Sequence, residues 1–219
     1  MVQDTLESAV EFADNPEPRC PCILLLDNSG SMAGDKLNAL NEGLAAFEKS
    51  LKKDPLASRR VEVAIVTFGN QVNLVQDFVT VDNFQSPVLS AGGQTPMGEA
   101  ILKALDMVAN RKAVYKQNGV AYYRPWIFMI TDGEPTDEVA VACQRLKSEE
   151  SGKHVAFFAV GVEGANITRL EGISVRKPLM LNGLEFAELF VWLSASLGGV
   201  AKSEIGEQVA LPPAGWSAV

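Results

Sequence analysis

Histidine, cysteine and basic residues are scarce in this chain of 219 residues, which has one His, three Cys and 19 Lys+Arg against 27 Asp+Glu. One His excludes any centre that needs two imidazoles. Three Cys cannot all pair, and they fall short of four thiolates for a structural zinc site. The formal net charge is −8, without a basic run. That argues against nucleic acid as a partner, because phosphate neutralisation dominates such affinity. No apolar run approaches the ~20 residues needed to span a bilayer. The most apolar long stretch, 184–200, carries Glu185 and Glu188. Residues 1–12 are acidic and amphipathic, without the basic start and apolar stretch of a secretion signal. These absences predict a cytoplasmic protein with reduced thiols and no membrane contact.

What is present is the composition of a packed domain, 47% apolar and 21% charged. A chain of this size buries roughly 70% of its unfolded surface. No linker divides the middle. One domain is predicted over 20–198, between an N-terminal arm, 1–19, and an extended tail, 199–219. The arm ends in Asn15-Pro16-Glu17-Pro18. The tail is expected to pack on the domain, with Trp216 as its anchor.

Apolar strand-like runs alternate with helical periodicity. Cys22 to Leu26 reads as a strand buried on both faces. Leu37, Leu40, Leu44, Phe47 and Leu51 then mark one face of a helix. Val61 to Phe68 and Val72 to Val81 flank Gly69-Asn70, which predicts a hairpin. A helix with Met97, Ile101, Leu105 and Val108 inside follows Gly92-Gly93-Gln94-Thr95-Pro96. Pro125 to Thr131 and Val155 to Val162 are further strands around a helix from Glu138 to Lys147, and Val175 to Leu179 is a weak sixth. Phe186, Phe190, Leu193 and Leu197 mark a last helix. This order predicts an α/β fold: a Rossmann-like three-layer α/β/α sandwich whose six-stranded, mostly parallel sheet has one antiparallel edge strand.

Ligands of open α/β sheets bind beyond the carboxyl ends of the strands. Asp27, Ser29 and Ser31 follow the first strand, as Asp-Asn-Ser-Gly-Ser, and Asp132 follows the fourth. Thr95 sits in the Gly-Gly loop. Every one of these is an oxygen donor, which suits a hard cation, Mg²⁺ or Mn²⁺. Three hydroxyls plus waters leave an exchangeable position that a carboxylate of another molecule can take.

Asp27-x-Ser29-x-Ser31, Thr95 after two glycines, and Asp132-Gly133, each at a predicted strand end, resemble the von Willebrand factor A domain. That family's metal-ion-dependent adhesion site uses these five residue types in this order. The resemblance implies a divalent cation held by Asp27, Ser29, Ser31, Thr95 and Asp132, and an acidic residue of a protein partner that completes its coordination. The segments Asn15 to Cys22, Phe190 to Ser196 and Leu211-Pro212-Pro213 are similar to the TerY-type proteins of bacterial tellurium-resistance clusters. That subgroup implies a stress-response role and kinase or phosphatase partners.

Ordinary roles compete with these. Thr95 before Pro96 is a good helix N-cap. Asp137 reads as the cap of the helix it precedes, and Asp35 as a helix-start charge. His154 reads as structural or exposed. Cys20 and Cys22 could bind a metal weakly or react with oxidants, but two thiols with no nearby His make a poor zinc set, and Cys143 reads as core. A Mg²⁺-dependent hydrolase or phosphoryl-transfer enzyme would use the same metal. The chain lacks a P-loop and a Gly-x-Ser-x-Gly elbow, and offers no general base beyond the metal carboxylates and no basic cluster for a phosphate. A scaffold acting through its arms is the third alternative. The binding module is preferred, and it sets an electrostatic condition. An acidic chain that captures a carboxylate needs a rim around Ser31 and Thr95 that is less acidic than its remaining surface.

Overall fold

The computed structural model describes residues 10–218. The first part of the N-terminal arm, 1–9, lies outside the described residues.

Strand β1 (Cys20–Asp27) is the axis of the sheet. Its side chains alternate by the two-residue period of a strand. Cys20, Cys22, Leu24 and Leu26 enter one core, and Ile23 and Leu25 the other. Both sets are fully buried, so the apolar run reflects helices on both faces. Burying each such leucine contributes about 1.5–3 kcal/mol.

After β1 come a short 3-10 turn (Gly30–Met32), α1 (Asp35–Leu51), α2 (Pro55–Arg60), and the hairpin β2 (Val61–Phe68) and β3 (Val72–Thr80). Then follow α3 (Met97–Gln117), β4 (Trp126–Thr131), α4 (Ala140–Ser151), β5 (Ala156–Gly161), α5 (Ile167–Glu171), β6 (Leu179–Leu181) and α6 (Phe186–Lys202). The tail closes with β7 (Ser217–Ala218). The sheet order is β3-β2-β1-β4-β5-β6-β7. Strands β2, β1, β4, β5 and β6 are parallel, and β3 is the antiparallel hairpin edge. The tail adds the two-residue β7, antiparallel to β6, on the opposite edge. Helices α1 and α6 cover one face through Leu44, Phe47, Phe190 and Leu193. Helices α3 and α4 cover the other through Ile101, Leu105 and Leu146. Among the described residues, no helix is long and apolar enough to cross a membrane.

Three elements differ from the sequence reading. The sixth strand is Leu179–Leu181, while Val175 is 60% exposed outside it. Val175 instead donates its backbone N–H to the buried Glu150 carboxylate, 2.8 Å away. Helix α4 starts at Ala140 rather than Glu138. The sheet has seven strands rather than six, because the tail adds β7 as a second antiparallel edge; Trp216, buried against Trp192 (ring centroids 5.5 Å apart), and the Trp192 indole N–H, which donates to the Pro212 carbonyl at 2.7 Å, hold the tail there.

The arm is held by charge. Arg19 and Glu62 are both fully buried and pair at 2.9 Å. Arg111 donates to both Glu62 oxygens, at 2.8 and 2.7 Å, and the Tyr115 hydroxyl donates to the same carboxylate. Phe12 packs under the Arg19 and Arg111 guanidinium groups, 5.1 and 5.3 Å from its ring centre.

Candidate metal centre

The sheet order places β1 beside β4, and the helices that follow these strands leave toward opposite faces. A crevice therefore opens beyond the carboxyl ends of β1 and β4, at the topological switch point. Asp27 is the last residue of β1, and Asp132 directly follows β4. Residues 105 positions apart in sequence thus become neighbours.

Asp27 is fully buried. Its Oδ1 accepts from the Ser29 backbone N–H at 2.8 Å, which turns the chain sharply after the strand. Its Oδ2 accepts from the Thr131 hydroxyl at 2.5 Å. Burial pushes the Asp27 carboxyl above its ordinary pKa, and the hydrogen bonds from Ser29 and Thr131 only partly oppose this. The nearby Asp132 charge adds to the rise.

The turn brings the serine hydroxyls together, with Ser29 Oγ and Ser31 Oγ 3.0 Å apart. Ser31 Oγ donates to Asp132 Oδ1 at 2.7 Å. Lys36, in the first turns of α1, donates from Nζ to Asp132 Oδ2 at 2.6 Å. The loop carrying Thr95 is docked to the same place by the Gly30 N–H, which donates to the Gly93 carbonyl at 3.1 Å. Gly93 has φ +84°, and a Cβ there would lie 2.4 Å from the Asn70 backbone nitrogen. Gly133 leaves the centre of the crevice open. A Cβ on it would meet Thr95 Oγ1 at 3.0 Å and Asp27 Oδ2 at 3.6 Å.

All five predicted residues thus line one crevice. Asp27, Ser29, Thr95 and Asp132 are buried, and Ser31 is at its rim. Thr95 is not a helix cap. Pro96 occupies the N-cap position of α3, without a side-chain cap bond. The cap comes from Asp137, whose oxygens accept from the Gly98 and Glu99 N–H groups at 3.0 and 2.8 Å. Asp137 therefore caps α3 from the neighbouring loop rather than the helix it precedes, and the Thr95 hydroxyl is released from capping. Glu134 accepts from the Asn166 side chain at 2.8 Å, and Asp35 lies in the first turn of α1. His154 is exposed beside Glu149. Cys20 and Cys22 are fully buried, and burial pushes the Cys20 thiol up to about 12. Cys143 is half-buried against the second core.

Sequence reasoning missed Lys36 and Thr131. Thr131 carried a weak signal, a hydroxyl ending a buried strand. Lys36 carried none, because only the turn of α1 over the crevice aims it at Asp132.

The donor set fits a small hard cation. An octahedron with bonds of about 2.1 Å has an edge of about 3.0 Å, the separation of Ser29 Oγ and Ser31 Oγ. Two carboxylates supply charge, and the glycine at 133 leaves room. Among the described residues no group of three or more His, Cys, Asp or Glu offers another metal site.

The von Willebrand factor type A domain profile matches residues 22–186, most of the chain, and the protein belongs to that family. Domains of this family are protein-interaction modules, often metal-dependent. The collagen alpha-4(VI) chain of Mus musculus is 29% identical over 186 residues, which span 80% of this chain but 7% of the collagen. The SpaC pilus adhesin of Lactobacillus rhamnosus GG, in an open conformation, superposes with a TM-score of 0.66 at 14% identity, over 84% of this chain and 30% of the adhesin. Proximal thread matrix protein 1 of the mussel byssus, with a zinc-occupied MIDAS motif, gives 0.57 at 17% identity, over 83% of this chain and 48% of that protein. These two structures share the fold.

Proposed function

We propose that Asp27, Ser29, Ser31, Thr95 and Asp132 hold a divalent cation, Mg²⁺ or Mn²⁺, and that the loaded site captures an Asp or Glu side chain of a protein partner. The observation that carries this is the convergence of three hydroxyls and two buried carboxylates on one crevice, open at Gly133. When bound, the metal supplies a positive centre that attracts the partner's carboxylate. Ser29, Ser31 and Thr95 would present neutral oxygens. Asp27 and Asp132 would supply the compensating charge, oriented by Thr131 and Lys36. The zinc-occupied motif of the mussel thread protein supports a metal at the corresponding place. Lys36 places a cation on the rim, which lessens the repulsion between an acidic chain and an acidic ligand.

The role is binding rather than catalysis. The one His lies exposed beside Glu149 and belongs to no catalytic set with Asp27 or Asp132. The finer reading extends the similarity of the flanking segments: a cytoplasmic, TerY-type role in tellurium resistance, with a kinase or phosphatase as the partner.

The test is a pull-down from native extract on wild-type and Asp132→Ala protein, each with Mg²⁺ and with chelator. The expected outcome is a protein retained only by wild type with Mg²⁺. Retention that neither chelator nor the substitution changes would sink the reading.

A further inference from the structure

Helix α6 carries apolar residues on both of its sides. Phe186, Leu189, Phe190, Leu193 and Leu197 are buried in the core. On the outer side Glu188, Val191, Ala195, Gly199 and Lys202 recur every three or four residues and form one stripe. Val191 is 49% exposed, and Ala195 is exposed one turn further on. A helix that is apolar all round is normally buried. Two shallow grooves, of about 440 and 370 Å³, run beside the stripe and share Val191 and Ala195. The tail walls the first with Pro213 and Trp216, and Leu51 and Asp54 wall the second.

The second groove also holds two glycines, Gly198 and Gly199, inside the helix, where glycine is disfavoured. The packing of the chain itself gives no steric reason for them. An added Cβ would meet nothing closer than 3.6 Å at Gly198 and 3.8 Å at Gly199, which is ordinary contact. Gly43 in α1 is the contrast, since a Cβ there would lie 2.7 Å from the Phe190 ring. Gly198 and Gly199 instead leave a notch that the side chains of another helix can enter.

We propose that this face binds a second copy of the chain, α6 against α6 and antiparallel, about a two-fold axis beside Ala195. The stripe is self-complementary in that register, as a two-fold interface must be. Glu188 and Lys202 each stand seven residues from Ala195, about 10 Å along the helix. The axis therefore brings Glu188 of each copy level with Lys202 of the other. Val191 and Gly199 each stand four residues from Ala195, so the exposed valine comes level with the glycine notch. A parallel pair would instead set Glu188 against Glu188. Two other charges border the face. Asp54 pairs with Lys202 at 2.5 Å, and Glu185 accepts from the Asn182 side chain at 2.8 Å. The Lys202 ammonium, 56% exposed, has three donors and can hold Asp54 and the incoming Glu188 together.

Sedimentation equilibrium of the full chain tests this in about 0.15 M salt, which largely screens the repulsion between two chains of charge −8. Chelator in the buffer keeps metal-mediated contacts out of the measurement, so this reading and that of the metal site stand or fall separately. Wild type is expected to form a dimer that dissociates in the micromolar range. Ala195→Glu sets two carboxylates at the axis from an exposed position. It is expected to weaken the dimer about tenfold or more, with the circular dichroism spectrum unchanged. Glu188→Lys and Lys202→Glu each replace two attractive pairs by two repulsive ones, and each is expected to weaken self-association. Their equimolar mixture restores both pairs across the interface, and is expected to associate about tenfold tighter than either variant alone. The loss of the Asp54 partner in Lys202→Glu is the same alone and in the mixture, so it cancels. A wild-type chain that stays monomeric up to about 1 mM would overturn the proposal and give the face to a different chain. A dimer unaffected by Ala195→Glu, or a mixture no tighter than its two components, would also overturn it.

Discussion

Adding Mg²⁺ should raise the melting temperature, and the size of the rise follows from linkage. A ligand that binds only the folded chain at 100 times its Kd stabilises it by about 2.7 kcal/mol. For domains of this size each kcal/mol moves Tm by roughly 2–4 °C, so the expected rise is about 5–11 °C. The metal-free protein carries a specific cost that the metal removes. Asp27 is fully buried, and its raised pKa means that the folded state holds the proton more tightly than the unfolded state, which titrates near 3.8. Between that value and the raised one, the native state binds more protons, so the Asp27 contribution to stability falls as pH rises. That contribution is complete below 3.8 and lost above the raised pKa. Metal binding needs the carboxylate ionised, so its increment moves the other way and shrinks on acidification. Differential scanning fluorimetry across pH, with Mg²⁺ and with chelator, reads both trends. Asp27→Asn should stabilise the metal-free protein at neutral pH, since a neutral amide replaces a buried charge, and should abolish the Mg²⁺ increment. An equal Mg²⁺ increment in wild type, Asp27→Asn and Asp132→Ala would refute the reasoning.

Glu62→Ala should leave buried Arg19 uncompensated, cost about 3–5 kcal/mol and lower Tm by roughly 6–20 °C in a calorimetric scan. Gly43→Ala would bring a Cβ to 2.7 Å from the Phe190 ring and 3.0 Å from the Phe186 Cβ. The α1–α6 contact should weaken by about 1–3 kcal/mol, visible as a lower denaturant midpoint. Asp54 caps α2 by accepting from the Leu56 and Ala57 N–H groups, so Asp54→Ala should cost about 1 kcal/mol in the same assay. Iodoacetamide should label only Cys143 in the native protein, read by mass spectrometry, because Cys20 and Cys22 are buried with thiols held protonated.

Sequence pattern carried much of the fold because strands buried on both faces must be apolar throughout, and helices buried on one face must repeat every three or four residues. Ile23 to Leu26 and the Leu37–Leu51 stripe are legible for that reason. Pattern faded at the edge of the sheet. The short β6 has a polar neighbourhood and is placed by its hydrogen bonds to β5 rather than by apolar periodicity. The tail strand β7 is only two residues long and depends on Trp216 being anchored nearby.

The candidate site divides in the same way. Asp27, Ser29, Ser31, Thr95 and Asp132 could be singled out because their chemistry is uniform and each follows a strand or a glycine pair. Scarce His and Cys cost an all-oxygen site nothing, so composition and motif agree. Sequence alone could not decide which ordinary role each polar residue escapes. Only tertiary structure moves Asp137 onto the N-terminus of α3 and so releases Thr95, because capping is set by proximity in space. Only it lays Lys36 against Asp132. Periodicity is a local consequence of burial and can be read along the chain. Electrostatic partnership depends on distance through space, and the order in which the strands pair sets that distance.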